Sequence, residues 1–300
     1  MREPRRRLLF AIIAMVLAVT TLAALLRPLR EARDFYVPDA ADARAAQGMF
    51  GAALAGMRLA KSSPQSPTQS PHSLDAARFG LVTARVESPD GLALVEPQDD
   101  CGGRGAYLLR QGAAVSPVAL VAPHRGADRH TGTIVQLLMA EHRFAAAAWN
   151  SAARRPSAAC AHAGDVAREA THYITAFSLA FAQQYPQGRV IQLHGFDGKN
   201  YQDNAAGRAD LILSDGSRRP PEGLRLMAAC LTRALPDRPV RVYGIDSDIL
   251  GATVNRQGRA LRRAGFAGFS HVEMSPGMRA LLVGDGSARA RFATCLEAGL

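Results

Sequence analysis

Short apolar runs alternate with longer runs of helical period over most of this chain. FGLVTARV, LALVEP and AYLLRQ are strand-like and are divided by Pro-Asp-Gly and DDCGGRG, which predicts an antiparallel opening. PVALVAPH then reads as a short apolar strand and TGTIVQLLMAEHR as a helix. FAAAAWN is the next strand, and DVAREATHYITAFSLAFAQQYP the long helix after it, with Asp165 as its N-cap. GRVIQLHGF and ADLILSDG are strands, PPEGLRLMAACLTRAL is a helix opened by proline, and VRVYGID and FSHVEMS are the last strands before a helical C-terminus. Strands alternating with helices imply an α/β fold, a mostly parallel or mixed sheet with helices on both faces. In such sheets functional groups collect at the carboxyl ends of strands, here PH, WN, LHGF, GID and VEMS.

The N-terminus reads differently. Arginines at 2, 5, 6 and 7 precede an uncharged apolar run, Leu8 to Leu26, which Arg27 closes. Nineteen residues approach the roughly 20 that span a bilayer as a helix. Positive flanks stay in the cytoplasm, so the expectation is an inner-membrane anchor at residues 8–26 with the domain facing the periplasm or cell exterior. A cleaved signal peptide is the alternative; Leu25, Leu26 and Arg27 after the alanines suit an uncut anchor better. Residues 1–34 then form the arginine cluster and transmembrane segment. Residues 35–74 hold an alanine-rich helix and the linker KSSPQSPTQSPHS, and 75–300 form the α/β domain.

The net charge of +10 adds less than it first suggests. Residues 1–34 contribute +4 of it, and the rest is spread out and almost wholly arginine. No dense basic patch with interleaved aromatics is present, so no nucleic-acid partner is expected. The four cysteines, Cys101, Cys160, Cys230 and Cys295, include no CxxC pair, which argues against a zinc ribbon or a thioredoxin-like site. Of the three possible pairings, Cys101–Cys160 with Cys230–Cys295 is favoured.

The strand ends carry the chemistry. VALVAPHRGADRHTG places His124 at a strand end and Asp128 four residues on; VIQLHGF puts His194 at the end of another strand seventy residues later. Two ligands from one loop and one from a distant strand give the spacing of a catalytic zinc site, with a fourth position open for water. Glu273, in HVEMS, is the candidate carboxylate that moves the proton. His271 faces the same side of that strand and is a candidate to orient it.

APHRGADRHTG, WNSAARR, VIQLHGF, NRQGR and HVEMSPGMR occur in an order similar to that of the N-formylglutamate amidohydrolases and the phage-type poly-γ-glutamate hydrolases, both of the zinc carboxypeptidase-like fold. The resemblance covers residues 78–283 and implies Zn2+ at His124, Asp128 and His194, with Glu273 as the base. His130 is an alternative second ligand. It also implies a grip on a substrate carboxylate, which falls on Asn150 with Arg154 or Arg155, since Ser151 stands where the family has arginine. Arg256 and Arg259 are further candidates for an oxyanion or carboxylate clamp. The expected activity is hydrolysis of an amide next to a carboxylate, in an N-acyl-amino-acid, glutamyl or peptidoglycan-type peptide. The alternative is a membrane-anchored, non-catalytic binding domain on the same fold.

Overall fold

The computed structural model describes residues 35–59, 74–97, 101–113, 115–156 and 164–300. Asp39 starts the first helix, α1 (Ala40–Leu59), by accepting from the amides of Ala41 and Asp42, both at 2.8 Å. Three strands follow: β1 (Val82–Glu87), β2 (Asp90–Val95) and β3 (Ala106–Arg110). The remaining elements are β4 (Ser116–Ala122), α2 (Thr131–Glu141), β5 (Phe144–Trp149), α3 (Tyr173–Gln184), β6 (Arg189–Gly195), β7 (Leu211–Ser214), α4 (Glu222–Ala234), β8 (Val240–Val242), α5 (Arg256–Arg263), β9 (Phe269–Met274), α6 (Pro276–Gly284) and α7 (Gly286–Leu296).

The strands form one sheet in the order β1-β2-β3-β5-β4-β6-β9-β7-β8. Its opening is antiparallel, as the Gly/Pro-punctuated segments predict, and β5, β4, β6 and β9 are parallel neighbours. β7 departs from the parallel expectation: it pairs antiparallel with β9, and β8 pairs parallel with β7. The sheet is therefore mixed. The end of β8, the GID segment, faces the edge opposite the ends of β4, β6 and β9, and so leaves the set of strand ends expected to share a site.

Successive strand residues point to opposite faces. Ala119 and Val121 of β4 enter the core beneath α1, α3 and α5, whereas Val118, Leu120 and Ala122 enter the core shared with α2, α4, α6 and α7. Helices thus cover both faces. α1 buries Ala46, Met49, Phe50, Ala53 and Leu54, an i, i+3, i+4 stripe, and Phe50 meets the rings of Tyr107 and Phe177. It belongs to the same core as the sheet, although the sequence sets it apart in 35–74.

Among the described residues no helix is long and apolar enough to cross a membrane. This corrects the inner-membrane placement expected from the sequence. α1 has the length, 20 residues, but carries Asp42, Arg44 and Arg58, and its apolar stripe faces protein. The segment expected to span, Leu8–Leu26, lies outside the described residues.

The long helix expected from Asp165 begins later. A short 3₁₀ turn, Val166–Arg168, comes first, and α3 is capped by His172, whose Nδ1 accepts from Ile174 N at 3.1 Å. Asp165 makes no capping bond, which frees its side chain for the site. The Cys230–Cys295 disulfide is formed and ties α4 to α7. The other expected bond involves Cys160, which lies outside the described residues.

Candidate metal centre

β4, β6 and β9 run parallel, so their carboxyl ends meet at one edge. The face of β6 and β9 that packs under α3 and α5 changes character toward this edge. Val190 and Phe269 are core residues, and the next side chains on the same face are Gln192 and His194, and His271 and Glu273. In the β6–β9 register His194 stands opposite Glu273. His124 follows β4 by two residues, and Asp128 sits in the turn before α2, its amide donating to His124 O at 2.8 Å.

His124, Asp128, His194, His271 and Glu273 are all buried. Asp128 Oδ2 accepts from the Gly195 amide at 3.1 Å, which fixes the carboxylate against the end of β6. The same oxygen lies 3.4 Å from His124 Nδ1 and 3.2 Å from His194 Nδ1. What the two imidazoles offer it is set by their outer nitrogens. His124 Nε2 is 2.7 Å from Asp165 Oδ1, a carboxylate that can only accept, so the proton sits on Nε2. His194 Nε2 is 3.4 Å from Gln192 Oε1, which also accepts from Asn255 Nδ2 at 2.6 Å. Gln192 is itself oriented, because its amide nitrogen donates to Gln257 Oε1 at 3.3 Å and Gln257 Nε2 donates to Val166 O at 2.7 Å. Both imidazoles turn Nδ1 toward the Asp128 oxygen; in the neutral rings that nitrogen is bare, and His124 Nδ1 has no hydrogen-bond partner.

In the neutral rings three lone pairs face one another in a buried space, a repulsion relieved by protons on the imidazoles or by a cation among them. One donor atom of each of His124, Asp128 and His194 lies within 4.8 Å of the others, so this group could hold a metal ion. Two imidazoles and one carboxylate suit a zinc-type cation and leave coordination positions open.

The charges follow from this arrangement. With no cation among them, burial pushes the Asp128 carboxyl upward, but hydrogen bonds and charge from protonated His124 and His194 overcome it and hold it far below the usual carboxylate range; a bound cation would take the place of those protons. Burial lowers His194 and lowers His271 further still. Glu273 is pushed up to about 8, first by burial and then by the negative charge of Asp128.

Of the expected carboxylate-binding residues, the structure brings Arg154 and Asn150 to this edge, the Asn150 amide donating to Ala122 O at 3.3 Å. Arg154 lies at the rim with NH2 2.9 Å from Asp165 Oδ2 and NH1 3.8 Å from Asp128 Oδ1. Asn150 is folded into its own turn, donating to Ala152 O at 3.1 Å and accepting from Ala152 N at 3.2 Å. Ser151 is bonded to Glu96. Arg155 and Arg256 are exposed, and Arg259 Nε donates to Thr253 O at 2.9 Å. In NRQGR it is Asn255 and Gln257, between the arginines, that turn inward. His130 begins α2 with a left-handed backbone, φ 76°, and belongs to neither group of potential metal donors among the described residues.

Residues that sequence reasoning missed include Asp165, read as a helix cap, and Gln192, which strand alternation places on the His194 face. Arg279, the last residue of HVEMSPGMR, is another. It is buried against the end of β6, where a Cβ on Gly195 would stand 2.2 Å from its NH1 and would have to displace the guanidinium. Arg279 NH1 donates to the carbonyls of Phe196 and Met274, which sets a cation beside Glu273.

No family model and no curated protein matches the sequence. Among solved structures, the chain is similar to the N-formylglutamate amidohydrolase of Ralstonia eutropha JMP134, at 12% identity over 61% of this chain and 92% of that chain, TM-score 0.39. It is also similar to a metallo-carboxypeptidase from Burkholderia cenocepacia, at 14% identity over 77% of this chain and 68% of that chain, TM-score 0.34. A third is an aspartoacylase family protein from Mesorhizobium loti, at 12% identity over 73% and 68% of the two chains, TM-score 0.36. These structure neighbours are of the hydrolase kinds that the sequence motifs resemble.

Proposed function

We propose that the chain is a zinc-dependent amide hydrolase acting on a bond next to a carboxylate, in an N-acyl-amino-acid, glutamyl or peptidoglycan-type substrate. The observation that supports it is the pair of Nδ1 atoms of His124 and His194 facing Asp128 Oδ2, with Glu273 opposite His194 in the sheet. His124, Asp128 and His194 would hold the cation. When bound, such an ion supplies Lewis-acid polarisation of a carbonyl and a more acidic water.

The remaining work falls to the chain's own groups. Glu273 Oε2 is buried and unpartnered, and takes a proton from water and returns it to the leaving nitrogen. Its raised pKa partly reflects the Asp128 charge, so neutralising Asp128 with a cation moves Glu273 back toward the ionised form that a base needs. Asp165 holds the His124 ring and its tautomer. Arg154 exchanges part of its contact with Asp165 for the substrate's carboxylate.

The test is metal content of the purified full chain beside His194→Ala. About one tightly held zinc per chain, lost in the variant, is the expected result. A wild-type chain that takes up no zinc from supplemented buffer overturns the reading.

A further inference from the structure

The antiparallel pair β2 and β3 has no part in the hydrolase reading, yet it carries a buried acid. Glu96, one residue beyond β2, is 7% exposed. Its carboxylate accepts from three donors: Arg104 N at 2.9 Å, Arg104 NH1 at 3.1 Å and the Ser151 hydroxyl. Burial pushes the Glu96 carboxyl up, and the bonds from Ser151 and Arg104 oppose it. Ser151 Oγ in turn accepts from Gly105 N at 2.9 Å. Gly105 has φ 90°, and a Cβ on it would stand 2.9 Å from Trp149 O, so the segment before β3 lies directly on the turn that follows β5. Arg104 is also held from outside this group. Its guanidinium lies 4.3 Å over the Tyr36 ring, and its carbonyl accepts from the Tyr107 hydroxyl at 2.7 Å.

The turn after β5 carries Asn150, Ser151 and, at the rim of the site, Arg154. Asn150 is tied to Ala122 and Ala152, and Ser151 is tied to Glu96 and Gly105. A buried carboxylate is costly unless the groups around it donate to it, and here three do, one of them from this turn. We infer that Glu96 is a positioning residue, which through Ser151 sets where Arg154 meets the substrate's carboxylate. The inference rests on the amide-hydrolase reading and its carboxylate grip. The partners of Glu96 are Arg104 and Ser151, not the metal-binding group, so its effect falls on substrate binding rather than on the chemical step.

The experiment is steady-state kinetics of the zinc-loaded full chain with N-formyl-L-glutamate as probe, with Kd from calorimetry replacing KM where the probe binds uncleaved. The proteins are wild type, Ser151→Ala, Glu96→Gln, Arg154→Ala and the double variant of Ser151→Ala with Arg154→Ala. Ser151→Ala and Glu96→Gln are each expected to raise KM by about three- to tenfold, with kcat moving less than about twofold. The tight zinc equivalent stays, which also reports that the variants are folded. Without Arg154 the serine has nothing left to position, so Ser151→Ala changes KM less than about twofold in the Arg154→Ala background. An unchanged KM in Ser151→Ala, or an increase that adds in full to that of Arg154→Ala, overturns the positioning role and leaves the hydrolase reading intact. Loss of the tight zinc equivalent in Ser151→Ala makes this tie a support of the whole centre and likewise overturns it. A zinc-loaded wild type that neither cleaves nor binds the probe removes the carboxylate grip, and the positioning of Arg154 with it.

Discussion

Asp165 Oδ1 stands 2.7 Å from Nε2 of His124, across 41 residues of chain. The carboxylate accepts the ring proton and so turns His124 Nδ1, bare, toward Asp128 and His194. Burial opposes ionisation of Asp165, yet the hydrogen bond and charge of His124 and the charge of Arg154 keep it well below the ordinary range.

A partner of this kind sets metal affinity without touching the metal. Asp165→Ala is expected to weaken zinc binding by about 10–100-fold, measured by competition with a chelator. Asp165→Asn, whose amide oxygen still accepts, should fall between the two. Equal affinity in all three proteins would reduce Asp165 to a loop residue.

Glu273→Gln removes the proton carrier and keeps the shape. Turnover is expected to drop by about 10²–10⁴-fold while the tightly bound metal equivalent remains. Retained turnover would dismiss Glu273 as base, and loss of the tight equivalent would make it a metal ligand instead.

Arg154 and Arg155 are adjacent in sequence and differ in place. Arg154 is paired to Asp165, whereas Arg155 is exposed and has no ion pair among the described residues. Arg154→Ala should raise KM by about 10–100-fold, the worth of a charged hydrogen bond, and Arg155→Ala should change it less than about twofold. Similar KM values for the two variants would remove the carboxylate grip from this loop.

His172 makes stability depend on pH. It is fully buried, with Nδ1 accepting from Ile174 N and Nε2 donating to Gly103 O at 2.7 Å, and burial lowers its pKa to about 4. The unfolded chain protonates near 6.5, so between 6.5 and 4 it binds more protons than the folded one. Stability from this residue is complete above the unfolded value and declines as pH falls through that window, by up to about 3 kcal/mol. Urea unfolding at pH 7 and pH 5 should show a loss of about 2 kcal/mol in wild type that shrinks in His172→Gln. An equal loss in both proteins would assign the acid sensitivity elsewhere.

Much of the layout was legible because local physics writes it. Alternation in VIQLHGF and FSHVEMS fixes which residues share a face, and parallel pairing of strands joined by helices brings His124, His194 and Glu273 to one edge. Those inferences need only the period of the chain and the direction of its strands. What only the tertiary structure decided depends on contacts between distant segments. Nothing within ADLILSDG says that β7 runs against β9, and that reversal removes the GID end from the site. Asp165 is a sound helix cap by its neighbours; its role comes from His124, which packing alone brings near. The same holds for NRQGR, where the charged residues invited attention and the buried face of α5 selected Asn255 and Gln257 instead. A loop or helix-end side chain points where the surrounding core leaves room and a partner, and no local pattern records that.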